Sequence, residues 1–171
     1  MKKIVVMGAG LVSRPLVKYL LSIEDFFVTL CDIDINKAEE IIENAQNGKA
    51  VALDVSEETK VEELIKSHDL AISLLPYVFH PMVAEFCIKH KKHMVTASYV
   101  SEKMKTLHAE AEKAGVIILN EIGVDPGIDH MSAMKIIDNV HEKGGKIEAF
   151  RSYCGGLPAP DANDNPFGYK F

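Results

Sequence analysis

No apolar run in this 171-residue chain approaches the ~20 residues that a bilayer-spanning helix requires, so no membrane segment is expected. Positive charge is short too: 19 Lys and Arg stand against 25 Asp and Glu, for a formal net charge of −6. A nucleic-acid partner needs a basic footprint, and that class is set aside. The chain enters its first apolar strand at once, without the basic, apolar and small-residue series of a secretory leader. Cysteine occurs only as Cys31, Cys87 and Cys154, without paired spacing, which fits a reducing, cytoplasmic setting. Cys87-x-x-His90-x-x-His93 comes nearest to a metal spacing. Zinc needs four converging ligands, however, and His90-Lys91-Lys92-His93 reads as the solvated basic end of a helix, so no metal is expected. Arginine is scarcer still, at Arg14 and Arg151 alone. The remaining composition, 47% hydrophobic and 26% charged, is that of a soluble globular protein with room for one core, or one domain and part of another.

What is present begins with Lys3-Ile4-Val5-Val6-Met7-Gly8-Ala9-Gly10-Leu11-Val12-Ser13. A β-branched strand runs through a Gly-x-Gly turn into a helix, a junction that aims backbone N–H groups and a helix dipole at one spot suited to a pyrophosphate. Ser13 replaces a third glycine and is small enough to keep helix and strand close. Asp32 follows at the end of a second strand, 27–31, where an acid takes the ribose hydroxyls of a dinucleotide. Two carboxylates, Asp32 and Asp34, with no Arg beside them, would repel a 2′-phosphate, so NAD is favoured over NADP.

Short apolar runs at 3–7, 27–31, 50–53, 69–75, 93–97 and 116–119 alternate with amphipathic stretches at 11–22, 36–45, 57–67, 79–90 and 102–114. That alternation predicts an α/β, Rossmann-type doubly wound parallel sheet in the order 3-2-1-4-5-6, with its ligand crevice beyond the strands' carboxyl ends. The residues there divide into two sides. Gly8, Gly10, Leu11, Val12, Asp32, Asp54 and Val55 form an adenosine and pyrophosphate side, although Asp54 reads equally well as a cap of the next helix. Leu75, Pro76, Ala97, Ser98, Tyr99 and Asp125 form a nicotinamide and substrate side. Past 125 a helix is expected over 129–142, closed by Gly144-Gly145, then a strand-like run over 146–153. The expected division is a dinucleotide-binding domain at 1–125 and, at 126–171, the start of a second α/β substrate domain that breaks off. Asp125, Tyr99 and Cys154 lie on or near the cleft and can carry a proton, which makes them the catalytic candidates.

Leu74-Leu75-Pro76-Tyr77, Met94-Val95-Thr96-Ala97-Ser98-Tyr99, Asp125-Pro126-Gly127-Ile128-Asp129-His130-Met131 and Ser152-Tyr153-Cys154-Gly155-Gly156-Leu157-Pro158-Ala159-Pro160 resemble the saccharopine dehydrogenase family across essentially the whole chain. The resemblance implies oxidation of saccharopine to glutamate and 2-aminoadipate 6-semialdehyde in lysine metabolism, with Ser98 and Tyr99 as substrate-carboxylate contacts and Asp125 as the amine contact. It also implies a larger second domain, a candidate homodimer surface, carrying the arginines that three substrate carboxylates want. The 171 residues alone are then expected to bind NAD and turn over poorly. The rival readings are a related enzyme on another secondary amine, such as carboxynorspermidine dehydrogenase, and a non-catalytic NAD-binding regulatory domain.

Overall fold

The computed structural model describes residues 1–153 and Gly155, and the chain divides into two compact units, Met1–Ile128 and a second beginning at Asp129. In the first unit the apolar runs form β1 (Lys2–Met7), β2 (Phe26–Asp32), β3 (Gly48–Ala52), β4 (Leu70–Ser73), β5 (His93–Thr96) and β6 (Ile118–Leu119). All pair in parallel in the order β3-β2-β1-β4-β5-β6, the doubly wound arrangement that the sequence predicts. Between them run α1 (Ser13–Leu21), α2 (Ile35–Ile42), α3 (Glu58–Ser67), α4 (His80–Lys89), α5 (Glu102–Thr106) and α6 (His108–Ala114).

The two-residue period of β1 splits its side chains between two cores. Ile4 and Val6 pack with Val17, Leu20, Val28 and Leu30 on one face. Val5 and Met7 pack with Val61, Ile65, Val83 and Met94 on the other. Each buried side chain of this size contributes about 1.5–3 kcal/mol, so the strands' carboxyl ends are held by hydrophobic burial on both sides. Burial also pushes the thiols of Cys31 and Cys87 up to about 12, which leaves both as inert core residues.

Two expectations need correction. The single helix expected over 102–114 is two, because Leu107 bonds to the carbonyl of Met104, three residues back, and the i−4 ladder breaks there. In the second unit α7 (Ile128–Glu142) forms and ends at Gly144 (φ +74°), with Gly145 N–H donating to Val140 O at 2.8 Å, as the glycine pair signals. The run 146–153 is not a strand: among the described residues it joins no β-ladder.

Candidate functional site

The glycine turn sits where β1 ends. Gly8 has φ +108°, and a Cβ there would stand 3.0 Å from the carbonyl oxygen of Leu74, so only glycine lets β1 and β4 diverge this tightly. Around Gly10 there is open space. α1 starts with no side-chain cap; its first N–H, that of Ser13, donates to Gly10 O at 3.1 Å, and the buried Ser13 also ties its hydroxyl to Gly10 O at 2.6 Å.

Asp32, half-buried at the end of β2, accepts from Ala9 N–H at 2.7 Å through Oδ2 and from Asp34 N–H at 3.0 Å through Oδ1. Each oxygen keeps a lone pair for a sugar hydroxyl. Asp34 is occupied as the N-cap of α2, accepting from Asn36 N–H. Gly8, Gly10, Asp32, Asp54, Val55, Leu75 and Pro76 all line one cleft of ≈ 310 Å³, together with Met7, Leu53 and Phe79. Leu11 and Val12 stand exposed on the turn and are not among its walls, nor is Ala97. Asp54 faces the cleft but does not cap the next helix, whose N-cap is Glu57 without a side-chain bond; its Oδ1 instead accepts from Ser56 N–H and Ser56 O–H in the turn before α3, which hold its carboxyl below the usual range. Arg14 is taken up by Glu40 on α2 at 2.7 Å and by Glu43 at its C-cap at 3.4 Å.

The substrate-side candidates come together at the ends of β5 and β6. The Tyr99 hydroxyl donates to Asp125 Oδ1 at 2.8 Å, joining two residues 26 positions apart. Asp125 is placed by a tight loop in which Gly123 N–H donates to Pro126 O and Ile128 N–H to Gly123 O, each at 2.9 Å. Gly123 lies close against Ala97, where an added Cβ would be 3.1 Å from that of Ala97. Ser98 is half-buried beside Tyr99. Cys154, the third proton-carrying candidate, lies outside the described residues. Cys87, His90 and His93 go separate ways: Cys87 is in the core, His90 pairs with Glu62 at 2.6 Å, and His93 accepts from Ile117 N–H.

His80 is the residue the sequence reading passes over. It opens α4, is 2% exposed, and touches Ser73 Oγ at 2.9 Å, Ser98 Oγ at 2.8 Å and Thr96 Oγ1 at 3.2 Å. One signal was available: a histidine at the head of an apolar helix, beside strand ends carrying Ser73 and Thr96. A second buried histidine, His68, donates Nδ1–H to Leu64 O at 2.6 Å and accepts the Thr29 hydroxyl at 2.8 Å. Burial lowers the pKa of both, most of all through loss of hydration. The unfolded chain therefore binds more protons than the folded one below about pH 6.5, and stability falls as pH drops through that point. Thermal melting should show a midpoint a few degrees lower at pH 5.5 than at pH 7.5, well above the range where carboxylates titrate, and a smaller drop in His68→Gln. An unchanged midpoint in the unsubstituted protein would refute this.

A sequence profile described as the saccharopine dehydrogenase NADP binding domain matches residues 4–119, and a second, the saccharopine dehydrogenase C-terminal domain, matches 123–171. The chain belongs to the saccharopine dehydrogenase family. The NADP(+)-dependent, L-glutamate-forming saccharopine dehydrogenase of Schizosaccharomyces pombe is 50% identical over all of this chain, which spans 38% of that protein. The mitochondrial alpha-aminoadipic semialdehyde synthase of Bos taurus is 46% identical over 99% of this chain and 18% of its own length. The structure of the apo, L-Glu-forming saccharopine dehydrogenase of Saccharomyces cerevisiae superposes with a TM-score of 0.85 at 43% identity, covering this chain completely and 38% of that one. The NADP in the family description and in the fungal names gives no support to the sequence-based preference for NAD. A nicotinamide cofactor is common ground.

Proposed function

We propose that the protein oxidises saccharopine, with these residues supplying the cofactor cleft and the amine contact. In this reading 1–125 holds the dinucleotide and 126–171 opens the substrate domain. The observation that carries it is the Tyr99–Asp125 bond, which sets a proton-accepting pair at the carboxyl end of the parallel sheet, the side on which ligands bind in such folds. The dinucleotide fits the residues present: a Cβ-free turn, an uncapped helix start, and a carboxylate poised for a diol. Held by the glycine turn and Asp32, it would supply the hydride acceptor for the carbon beside the substrate's secondary amine. Asp125 takes the amine proton as the C=N bond forms, with Tyr99 O–H fixing one of its oxygens. Water then adds to the imine, and the C–N bond breaks to release glutamate and the semialdehyde. Ser98 offers a hydroxyl to a substrate carboxylate. Arg14 is committed to Glu40 and Glu43, so the remaining carboxylates require cations other than Arg14.

Asp32 supports NAD as the preferred form, against the NADP in the relatives' names, because a 2′-phosphate would approach that carboxylate and Asp34 with no unengaged arginine among α1 and α2. Turnover decides the activity. The native protein, given saccharopine and NAD, should form glutamate and reduced cofactor in equal amounts. Turnover of carboxynorspermidine and not saccharopine would move the substrate assignment, and cofactor binding with neither turned over would favour a regulatory domain.

A further inference from the structure

His80 occupies a position that neither the cofactor nor the proton chemistry accounts for. Its ring joins the end of β4 (Ser73) to the end of β5 (Thr96) and to the half-buried Ser98 beyond it. Ser73 is completely buried, and among the described residues His80 Nδ1 is the one side-chain partner of its hydroxyl. Thr96 Oγ1 is buried as well, but it stands farther from the ring, 3.2 Å from Nε2, and accepts from Ser98 N–H at 3.3 Å, so the shorter Ser73 bond carries the direction of the chain. If Nδ1 carried the proton, the Ser73 hydroxyl could only accept, and its own proton would be buried without an acceptor, at a desolvation cost. With the proton on Nε2, Ser73 O–H donates to Nδ1 and Nε2–H donates to Ser98 Oγ at 2.8 Å, with Thr96 Oγ1 a longer second acceptor at 3.2 Å. Ser98 then has its oxygen engaged and its own proton left to give. An outward hydroxyl donor is what a carboxylate needs, whereas the opposite tautomer would consume that proton inside the protein.

We infer that His80 is a positioning residue: a neutral, Nε2-protonated imidazole that holds Ser98 as a hydrogen-bond donor for a carboxylate of the substrate. This rests on the saccharopine reading above and deepens it at one contact. Burial lowers the pKa of His80, which keeps the ring neutral at physiological pH.

Two replacements separate positioning from packing. A glutamine at 80 places an amide N–H near the site of Nε2, and an asparagine reaches only the site of Nδ1. In the native protein, His80→Asn should raise the KM for saccharopine about tenfold, the scale of one hydrogen bond to a charged group, with the KM for NAD unchanged. His80→Gln should restore most of the loss, and His80→Asn should add nothing in a Ser98→Ala background. Equal effects of Asn and Gln, or an undiminished effect without Ser98, would overturn the inference. Should His80→Asn fail to fold, Ser73→Ala serves instead: it is expected to raise the saccharopine KM about threefold through the freed tautomer, and an unaltered KM counts against the proposal. Nitrogen NMR of the imidazole gives a readout independent of activity, where a proton on Nδ1 would refute the mechanism. An unsubstituted enzyme inactive on saccharopine, with the Nε2 proton in place, would fell the substrate reading and leave the tautomer standing.

Discussion

Replacing Asp125 by asparagine should lower kcat for saccharopine by about a hundred- to ten-thousandfold, the range associated with losing a positioned acid or base. The substitution keeps the shape of the site. An amide oxygen can still accept from the Tyr99 hydroxyl, which now lies 2.8 Å from Oδ1, and the bonds from Gly123 to Pro126 and from Ile128 to Gly123 run between backbone atoms. What disappears is an oxygen basic enough to receive the amine proton as the imine forms. The affinity for NAD should therefore stay within about twofold, measured by titration, while steady-state turnover collapses. Tyr99→Phe removes one bond to the same carboxylate and should cost about tenfold. A full-rate Asp125→Asn enzyme would show that the proton goes elsewhere, with Tyr99 and Cys154 the remaining candidates.

Exchanging Asp32 for serine together with Ile33 for arginine should raise the ratio of kcat/KM for NADP over NAD by about a hundred- to a thousandfold. Two effects add. The carboxylate that repels a phosphate is removed, and a guanidinium able to bind phosphate in bidentate fashion is introduced next to the sugar. Ile33 is 73% exposed, so the larger side chain displaces nothing from the core. The measurement is the paired kinetic ratio in the substituted and original proteins. A ratio that does not move would mean that the sugar lies elsewhere, whichever cofactor the original protein prefers.

The parts of this molecule that obey a period were legible in the residues alone. A two-residue alternation sends Val5 and Val6 to opposite cores, and strand–helix spacing forces right-handed crossovers, so the order of the six strands followed. Single residues with a local job were legible only in part: the sequence places Asp54 at the cleft but does not foretell the Ser13 bond to Gly10, and Asp54 bonds Ser56 in a turn rather than capping α3. Features made by tertiary meeting were not. Nothing in 102–114 announces that Leu107 will bond three residues back, because that tightening is local geometry rather than pattern. Nothing in 146–153 says whether a neighbour will be there to pair with it. His80 escaped for the same reason: its partners are 7, 16 and 18 positions away, and only the parallel crossing of β4 and β5 makes them neighbours.

The bond from Ala9 N–H to Asp32 has an evolutionary corollary. In the proposed reading one side chain would both read the sugar and brace the loop that cradles the diphosphate, and the two tasks could not drift apart one substitution at a time. A lineage moving to the phosphorylated coenzyme must find a new strut for that loop along with a new cation. Any halfway ancestor would hold either coenzyme poorly.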